Sequence, residues 1–297
     1  MILLFSLLSC TPEQDLNWAE QWELLVLDPG RMTLDLRITR GNSGWLKGSA
    51  SVRGAAISKA EGTLLFGLDG TPADVEVLES GIRVGPDLLR GHSGGWEVQL
   101  QEGGEMGDPR NLRLNIETAG DPAHSLELEE WTVRPLELMG RSNGYLSTTG
   151  RNQLLGGKAL LLYRGGQTPP SWDGTPHTTV FVTAPGVSIG IDQNGTQALA
   201  WANIDGTLAW ADAVLSGSFE EGWHLDFSPE LPLHVEIRTR GQSHVSDPYA
   251  HLSAPEATLL QVSKGNLRRE LRTGRAKIQV GDQALQGSAV VVQTSWE

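Results

Sequence analysis

The stretch GWHLDFSPELPLHVEIRT, Gly222 to Thr239, holds two strand-like runs around a proline-bounded turn. Leu233, Val235 and Ile237 alternate with His234, Glu236 and Arg238. Successive side chains of a strand point to opposite faces, so this period of two predicts one apolar and one polar face. A second copy lies upstream. Gly95-Trp96-Glu97-Val98-Gln99-Leu100 precedes Leu112-Arg113-Leu114-Asn115-Ile116-Glu117-Thr118, in the same order of Gly-Trp, short alternating run, turn and alternating run. Glu97 stands in place of His224 and Arg113 in place of His234. What the copies share is therefore the Gly-Trp entry and the apolar face, not the imidazoles, and the chain reads as built twice around one hairpin.

A second pattern, L-x-G-x-A, supports duplication. It occurs as Leu46-Lys47-Gly48-Ser49-Ala50, Leu155-Gly156-Gly157-Lys158-Ala159 and Leu285-Gln286-Gly287-Ser288-Ala289. Each is followed by a run with strand character, and a glycine inside a strand marks a bulge or a close backbone approach. Met32–Thr39 alternates without a fault, and Asp28-Pro29-Gly30-Arg31 before it is a strong turn signal. Further strands are predicted at 62–69, 74–78, 126–138 (interrupted by Pro135), 177–183, 187–191, 197–204 and 207–215, with Asn194-Gly195 and Asp205-Gly206 as hairpin turns. Residues 13–22, with Trp18 and Trp22 four apart, predict one short helix. Residues 256–272 fit either a helix broken at Gly265 or two strands.

No alternating strand–helix pattern is present, and the 297 residues suffice for two domains. The predicted fold is all-β: two consecutive antiparallel, lipocalin-like β-barrels of eight to ten strands, with about eighteen to twenty strands in all. The first barrel is placed at 16–140 and the second at 141–297, divided within Met139–Gly144. Gly165-Gly166-Gln167-Thr168-Pro169-Pro170 is the rival boundary.

A net charge of −13 repels phosphate backbones, which argues against nucleic acid as a partner and against direct binding to anionic headgroups. The N-terminal run MILLFSLLS, Met1 to Ser9, is far too short to span a bilayer. It resembles the end of a secretory signal, and Leu7-Leu8-Ser9-Cys10 resembles a bacterial lipobox, although no Lys or Arg precedes it. That resemblance implies a signal peptide at 1–9, lipid attachment at Cys10, a tether at 10–15, and a lipid-anchored location in the cell envelope, at the periplasmic side of an outer membrane. Cys10 is the sole cysteine, so no intrachain disulfide forms.

Two motifs of known chemistry are missing: there is no H-E-x-x-H and no P-loop. The seven histidines are His92, His124, His177, His224, His234, His244 and His251; a metal site built from some of them is weaker than a reading as polar-face residues, so neither metal nor cofactor is expected. Asp192-Gln193-Asn194-Gly195-Thr196 offers oxygens at alternate positions but lacks the EF-hand pattern and reads as a plain turn. Trp201, Asp205, Trp210 and Asp212 form the densest cluster of aromatic and acidic residues. With both indoles pointing into a barrel, they would line an apolar pocket holding a few carboxylates, the usual composition of a ligand site.

The strand order, with Val187–Gly206 followed by Gly222–Thr239 and the L-x-G-x-A strands, resembles the lipocalin-like dyads of the carotenoid 1,2-hydratase (hydroxyneurosporene synthase) family. The resemblance implies two β-barrels with an apolar cavity. Leu162-Tyr163 stand where that family carries an Asp-His pair, which favours binding over catalysis. The function expected from sequence is a lipoprotein binding a hydrophobic small molecule or lipid in a barrel cavity. The alternatives are a hydratase- or isomerase-type enzyme on a lipid or isoprenoid, working through Asp205, Asp212 or a histidine, and a non-binding envelope scaffold. Mass spectrometry of protein purified from its native membrane should show an acylated N-terminal Cys10; an unmodified chain beginning at Met1 would refute the anchor.

Overall fold

The computed structural model describes residues 18–41, 48–58, 62–101, 111–118, 125–127, 131–148, 151–166, 176–246 and 266–296. Twelve strands form the first sheet. They are β1 (Ala19–Asp28), β2 (Met32–Gly41), β3 (Ala50–Ser58), β4 (Gly62–Gly70), β5 (Val75–Leu78), β6 (Gly81–Val84), β7 (Asp87–His92), β8 (Gly95–Leu100), β9 (Asn111–Glu117), β10 (Leu126–Glu127), β11 (Trp131–Thr148) and β12 (Arg151–Gly166). Ten more form the second. These are β13 (His177–Ala184), β14 (Val187–Asn194), β15 (Gln197–Ile204), β16 (Thr207–Trp210), β17 (Ala213–Ser218), β18 (Gly222–Phe227), β19 (Leu233–Arg238), β20 (Ser243–Ser246), β21 (Leu267–Val280) and β22 (Gln283–Trp296). A single turn of 3-10 helix, Pro72–Asp74, is the one helical element among the described residues.

The first sheet runs β4-β3-β2-β1-β12-β11-β9-β8-β7-β6-β5, with β10 on β11; the second runs β16-β15-β14-β13-β22-β21-β19-β18-β17, with β20 on β21. Apart from β5 and β6 the orders superimpose strand for strand, so the duplication read from the Gly-Trp hairpins is a duplication of whole sheets. Register agrees: Trp96 faces Ile116 across β8–β9, as Trp223 faces Ile237 across β18–β19. Ala159 faces Val26, as Ala289 faces Val182. Two of the three L-x-G-x-A segments thus occupy equivalent places in β12 and β22. The third leads into β3 and has no such counterpart. Both sheets curl, the first into a near-barrel and the second into a half-barrel, giving the all-β lipocalin-like fold expected from sequence.

Alternation decides which side chains go inside. Trp22, Leu24 and Val26 of β1 join Leu34, Leu36 and Ile38 of β2 and Leu112, Leu114 and Ile116 of β9 in the interior of the first sheet. Val180 and Val182, Ile189 and Ile191, Leu225, Val235 and Ile237 fill the second. Each such side chain contributes about 1.5–3 kcal/mol on burial. The expected chamber inside a barrel is therefore occupied by packed side chains. The central strands are also covered on their other face. Leu25 and Leu27 of β1, Leu160 and Leu162 of β12, Phe181 of β13, Leu271 of β21, and Val290 and Val292 of β22 form one cluster where the sheets meet. Strands buried on both faces account for the unbroken apolar runs Leu24–Leu27, Leu160–Leu162 and Val290–Val292.

Several expectations need correction. The division predicted within Met139–Gly144 falls inside β11, which pairs with β9 and β12 of the first sheet. The passage between sheets comes after Gly166, at the rival boundary. Long strands carrying several glycines, 140, 144, 156 and 157 among them, look locally like linkers, and only their pairing shows them to be sheet. The helix predicted at 13–22 is contradicted at its C-terminal end, where β1 begins at Ala19; 13–17 lie outside the described residues. Pairing with β2 and β12 overrides the helical spacing of Trp18 and Trp22. Of residues 256–272, 267–272 belong to β21 and the remainder of the ambiguity lies outside the described residues, as do Cys10 and its tether. Pro135 sits at a register shift of β11, as a proline in a strand must.

The shared Gly-Trp entry has a steric cause. Gly95 has φ +138°, and a Cβ there would lie 1.8 Å from the carbonyl oxygen of Ile116; Gly222 has φ +98°, with the corresponding carbonyl of Ile237 at 2.9 Å. Alanine at Gly95 should lower stability by about 1–3 kcal/mol or more through strain alone, and alanine at Gly222 by less. Thermal unfolding of the two variants checks this ordering; equal midpoints would contradict it.

Candidate functional site in the seam between the sheets

Charged residues lie within the apolar seam. β1 carries Glu23 two residues before Leu25, and β12 carries Arg164 two residues after Leu162, on the faces that meet. Arg164 is fully buried and donates from Nη1 to Glu23. It also donates from Nη2 to Asp192 Oδ1 at 2.6 Å and from Nε to Asp192 Oδ2 at 3.3 Å, a two-pronged grip across the sheets. Thr179 Oγ1 at 2.7 Å and His177 Nε2 at 2.9 Å complete the surroundings of Asp192 Oδ1. On the other side of Glu23, Arg269 of β21 donates to its second oxygen, and to Asp35 of β2 at 3.0 Å. The network thus runs Asp192–Arg164–Glu23–Arg269–Asp35.

Duplication makes the asymmetry visible. By register, Glu23 corresponds to Thr179, Arg164 to Thr294 and Arg37 to Asp192. Where one copy has a charge, the other has a hydroxyl or the opposite charge, and the two complement each other across the seam. Burial alone would raise the Glu23 carboxyl, but Arg269 and Arg164 outweigh it and hold it down to about 2. Burial would likewise raise Asp192, yet Arg164 and His177 keep it well below the usual carboxylate range. Both guanidiniums resist the depressing effect of burial because Asp192, Glu23 and Asp35 raise them.

The network opens at one end onto a cavity of about 180 Å³ lined by Asp35, Arg37, Arg53, His244 and Arg269. Arg37 is half-buried and makes no salt bridge or side-chain hydrogen bond with another described residue. Burial, with Arg269 close by, lowers its guanidinium to about 10. Arg53 lies directly opposite Arg37 across β2–β3. Its Nη2 reaches Asp69 at 2.6 Å, while its Nε is buried without a partner. The cavity therefore gathers guanidiniums, one carboxylate and one imidazole: donors for developing negative charge beside a group suited to proton transfer. Arg37, Arg53 and Arg269 would equally suit an oxyanion. Among the described residues no three His, Cys, Asp or Glu side chains converge to hold a metal ion.

Trp201 and Trp210 do come together, their rings 6.2 Å apart and tilted by 55°. Trp201, however, is fully buried in the seam cluster with Phe181 and Val290, not in a barrel interior, and its Nε1 is buried without a partner. Its ring lies over Gly190, where a Cβ would come within 2.0 Å of it. Asp205 is exposed in a turn at φ +51° and Asp212 is exposed after β16, so neither joins the indoles in an enclosed site. His224 and His234 stack at 6.0 Å on the open face of the β18–β19 hairpin, with His234 bonded to Asp226. Asp192, read as part of a turn, belongs to the buried network. His124 and His251 lie outside the described residues.

Asp35 and Arg37 were missed, and His244 was not singled out among the seven histidines, for a physical reason. They occupy polar positions of alternating strands, which a sequence assigns to solvent. One signal was present: Glu23 and Arg164 adjoin unbroken apolar runs, where a charge must find a buried partner.

No protein-family model and no curated protein sequence matches the chain. Solved structures do. The structure of CghA with Sch210972 superimposes with a TM-score of 0.65 at 10% identity, over 95% of this chain and 89% of that one. Kievitone hydratase from Nectria haematococca gives 0.59 at 10% identity, over 95% and 90%. The chain thus shares the all-β, lipocalin-like fold of these two structures.

Because Glu23 and Asp192 are depressed below their ordinary values, their contribution to stability is present above the unfolded carboxylate range and lost in acid. The unfolding midpoint should fall as pH drops from about 4.5 towards 2, the interval over which Glu23 protonates in the unfolded but not the folded chain. Glu23→Gln should cost about 3–5 kcal/mol near neutral pH by leaving both arginines short of a partner, and should flatten the acid slope. Calorimetry across this range decides it.

Proposed function

We propose that the protein is a hydratase-type enzyme that adds water to, or removes it from, an unsaturated small molecule at the seam between its sheets. The observation that carries this reading is the shared cavity of Asp35, Arg37 and His244 beside a fixed buried ion network. Imidazole is the side chain whose ordinary titration range lies near neutrality, which suits it to give and take a proton in one turnover. In hydration, His244 donates a proton to one alkene carbon while water adds to the other, and the water's extra proton returns to the imidazole. Arg37, with Arg53 opposite, stabilises negative charge developing on a conjugated carbonyl. Asp35, held by Arg269, favours the charged form of the nearby Arg37 guanidinium. The structural likeness to kievitone hydratase supports this choice over a purely binding role, and the packed interiors weigh against a ligand held inside a barrel.

Of the groups expected to carry acid–base chemistry, Asp205, Asp212 or a histidine, the reading takes the histidine and names His244. Cells producing the protein can be compared with cells producing His244→Ala or Asp35→Asn, looking for metabolite pairs that differ by one water. The wild type should shift at least one pair, with solvent deuterium retained at carbon. Each variant should lose about 10²–10⁴-fold in rate. Full activity in His244→Ala would end the proposal.

A further inference from the structure

A larger cavity, about 820 Å³, lies along β2 from the first, between the β1–β2 turn and residues 238–242, 273–275 and 288–289. Gln242 Nε2 donates to the Ser58 carbonyl at 2.8 Å and ties the two sides of the cleft together. Four arginines line the groove, Arg31, Arg238, Arg240 and Arg275, against one carboxylate, Asp28. That carboxylate is raised by burial and already accepts the Gly156 amide at 3.1 Å. None of the four guanidiniums makes a salt bridge or side-chain hydrogen bond with another described residue. In a chain of net charge −13, four arginines against one carboxylate, with Arg31 acting on Asp28, run against the overall balance.

The internal duplication supplies a second, independent observation. Arg238 and Arg275 stand directly opposite each other across β19–β21. The equivalent pair in the first sheet is Glu117 and Arg141, of opposite charge. Like charges directly opposite in an antiparallel pair destabilise the sheet. In the first copy Arg141 lies between Glu117 and Lys158, so a carboxylate balances the like charge, whereas Arg275 lies between Arg238 and Ser288 with no carboxylate on either side. An anion seated between the two guanidiniums would turn that repulsion into a double charge-assisted contact. Leu27, Met32 and Ile57 offer an apolar wall, and the volume suits a molecule of ordinary ligand size.

We infer that this groove binds the head of an amphiphilic oxyanion, a carboxylate or phosphate on an apolar body, between Arg238 and Arg275. The inference rests on the reading of the cleft as a substrate site and names its substrate class: an unsaturated chain reaching the His244 cavity, held by its anionic end. Calorimetric titration with octanoate, octyl phosphate and octyltrimethylammonium tests it on the full chain. Either anion should bind saturably at one site, less tightly as salt rises, and the cation should not. Arg238→Gln/Arg275→Gln should weaken anion binding about tenfold or more, while Arg83→Gln, far from the groove, should not. Binding of one anion only identifies the head group. Arg275→Gln without ligand should melt no lower than the parent, because a repulsion has been relieved. Absence of saturable binding by both anions, or undiminished binding in the double variant, or a lowered midpoint with unchanged binding, overturns the inference. His244→Ala should keep octanoate binding, so failure of the anion site and failure of the hydratase reading are told apart.

Discussion

The architecture depends on placing charge inside the seam. Glu23, Arg164, Asp192, Arg269 and Asp35 are taken from water where the two sheets meet, and burying an ion costs several kcal/mol unless geometry and hydrogen bonding offset it. The offset is visible: Arg164 and Arg269 each bind two carboxylates, and Glu23 is shared between them. A network of this kind adds little net stability over an apolar seam. What it adds is position, because guanidinium–carboxylate pairs are directional whereas Leu25, Leu160 and Val290 could slide. The ion chain fixes the sheets at one register, and that register brings β2 and β20 to the two sides of one cleft.

Duplication explains how such a network arises. Two copies of one sheet, packed through equivalent strands, would meet with like against like. Divergence at equivalent positions, Glu23 against Thr179, Arg164 against Thr294 and Arg37 against Asp192, converts the symmetric contact into a complementary one. The same divergence leaves Arg37 in the cavity without a salt bridge to another described residue. The cavity proposed as the site lies at the junction of the repeats: neither copy contains it, and each supplies part.

The interiors have a different role. Trp22, with its edge against Tyr163 at 5.4 Å, and Trp223, with its edge against Phe219 at 5.6 Å, pack the curled sheets. Among the described residues, Trp22 and Trp223 fill the two sheet interiors and Trp201 fills the seam. Trp201 shows the distinction, since it faces the opposite sheet rather than the interior that its alternation alone left equally open.

Taken alone, the sequence determined the all-β class, the antiparallel pairing and the duplication, because side-chain alternation and turn chemistry are local and recur with period two. Glu23 and Arg164 adjoin apolar runs, a signal of buried charge that alternation alone passes over and that does not name the partners. Tertiary structure decided where the copies divide, which polar faces are covered, and that Asp35, Arg37 and His244 share a cavity. The reason is distance along the chain: Arg269 meets Glu23 across 246 residues and Asp35 across 234. A polar strand position reads the same in sequence whether it faces water or a second sheet, and only the packing of one sheet on the other separates the two.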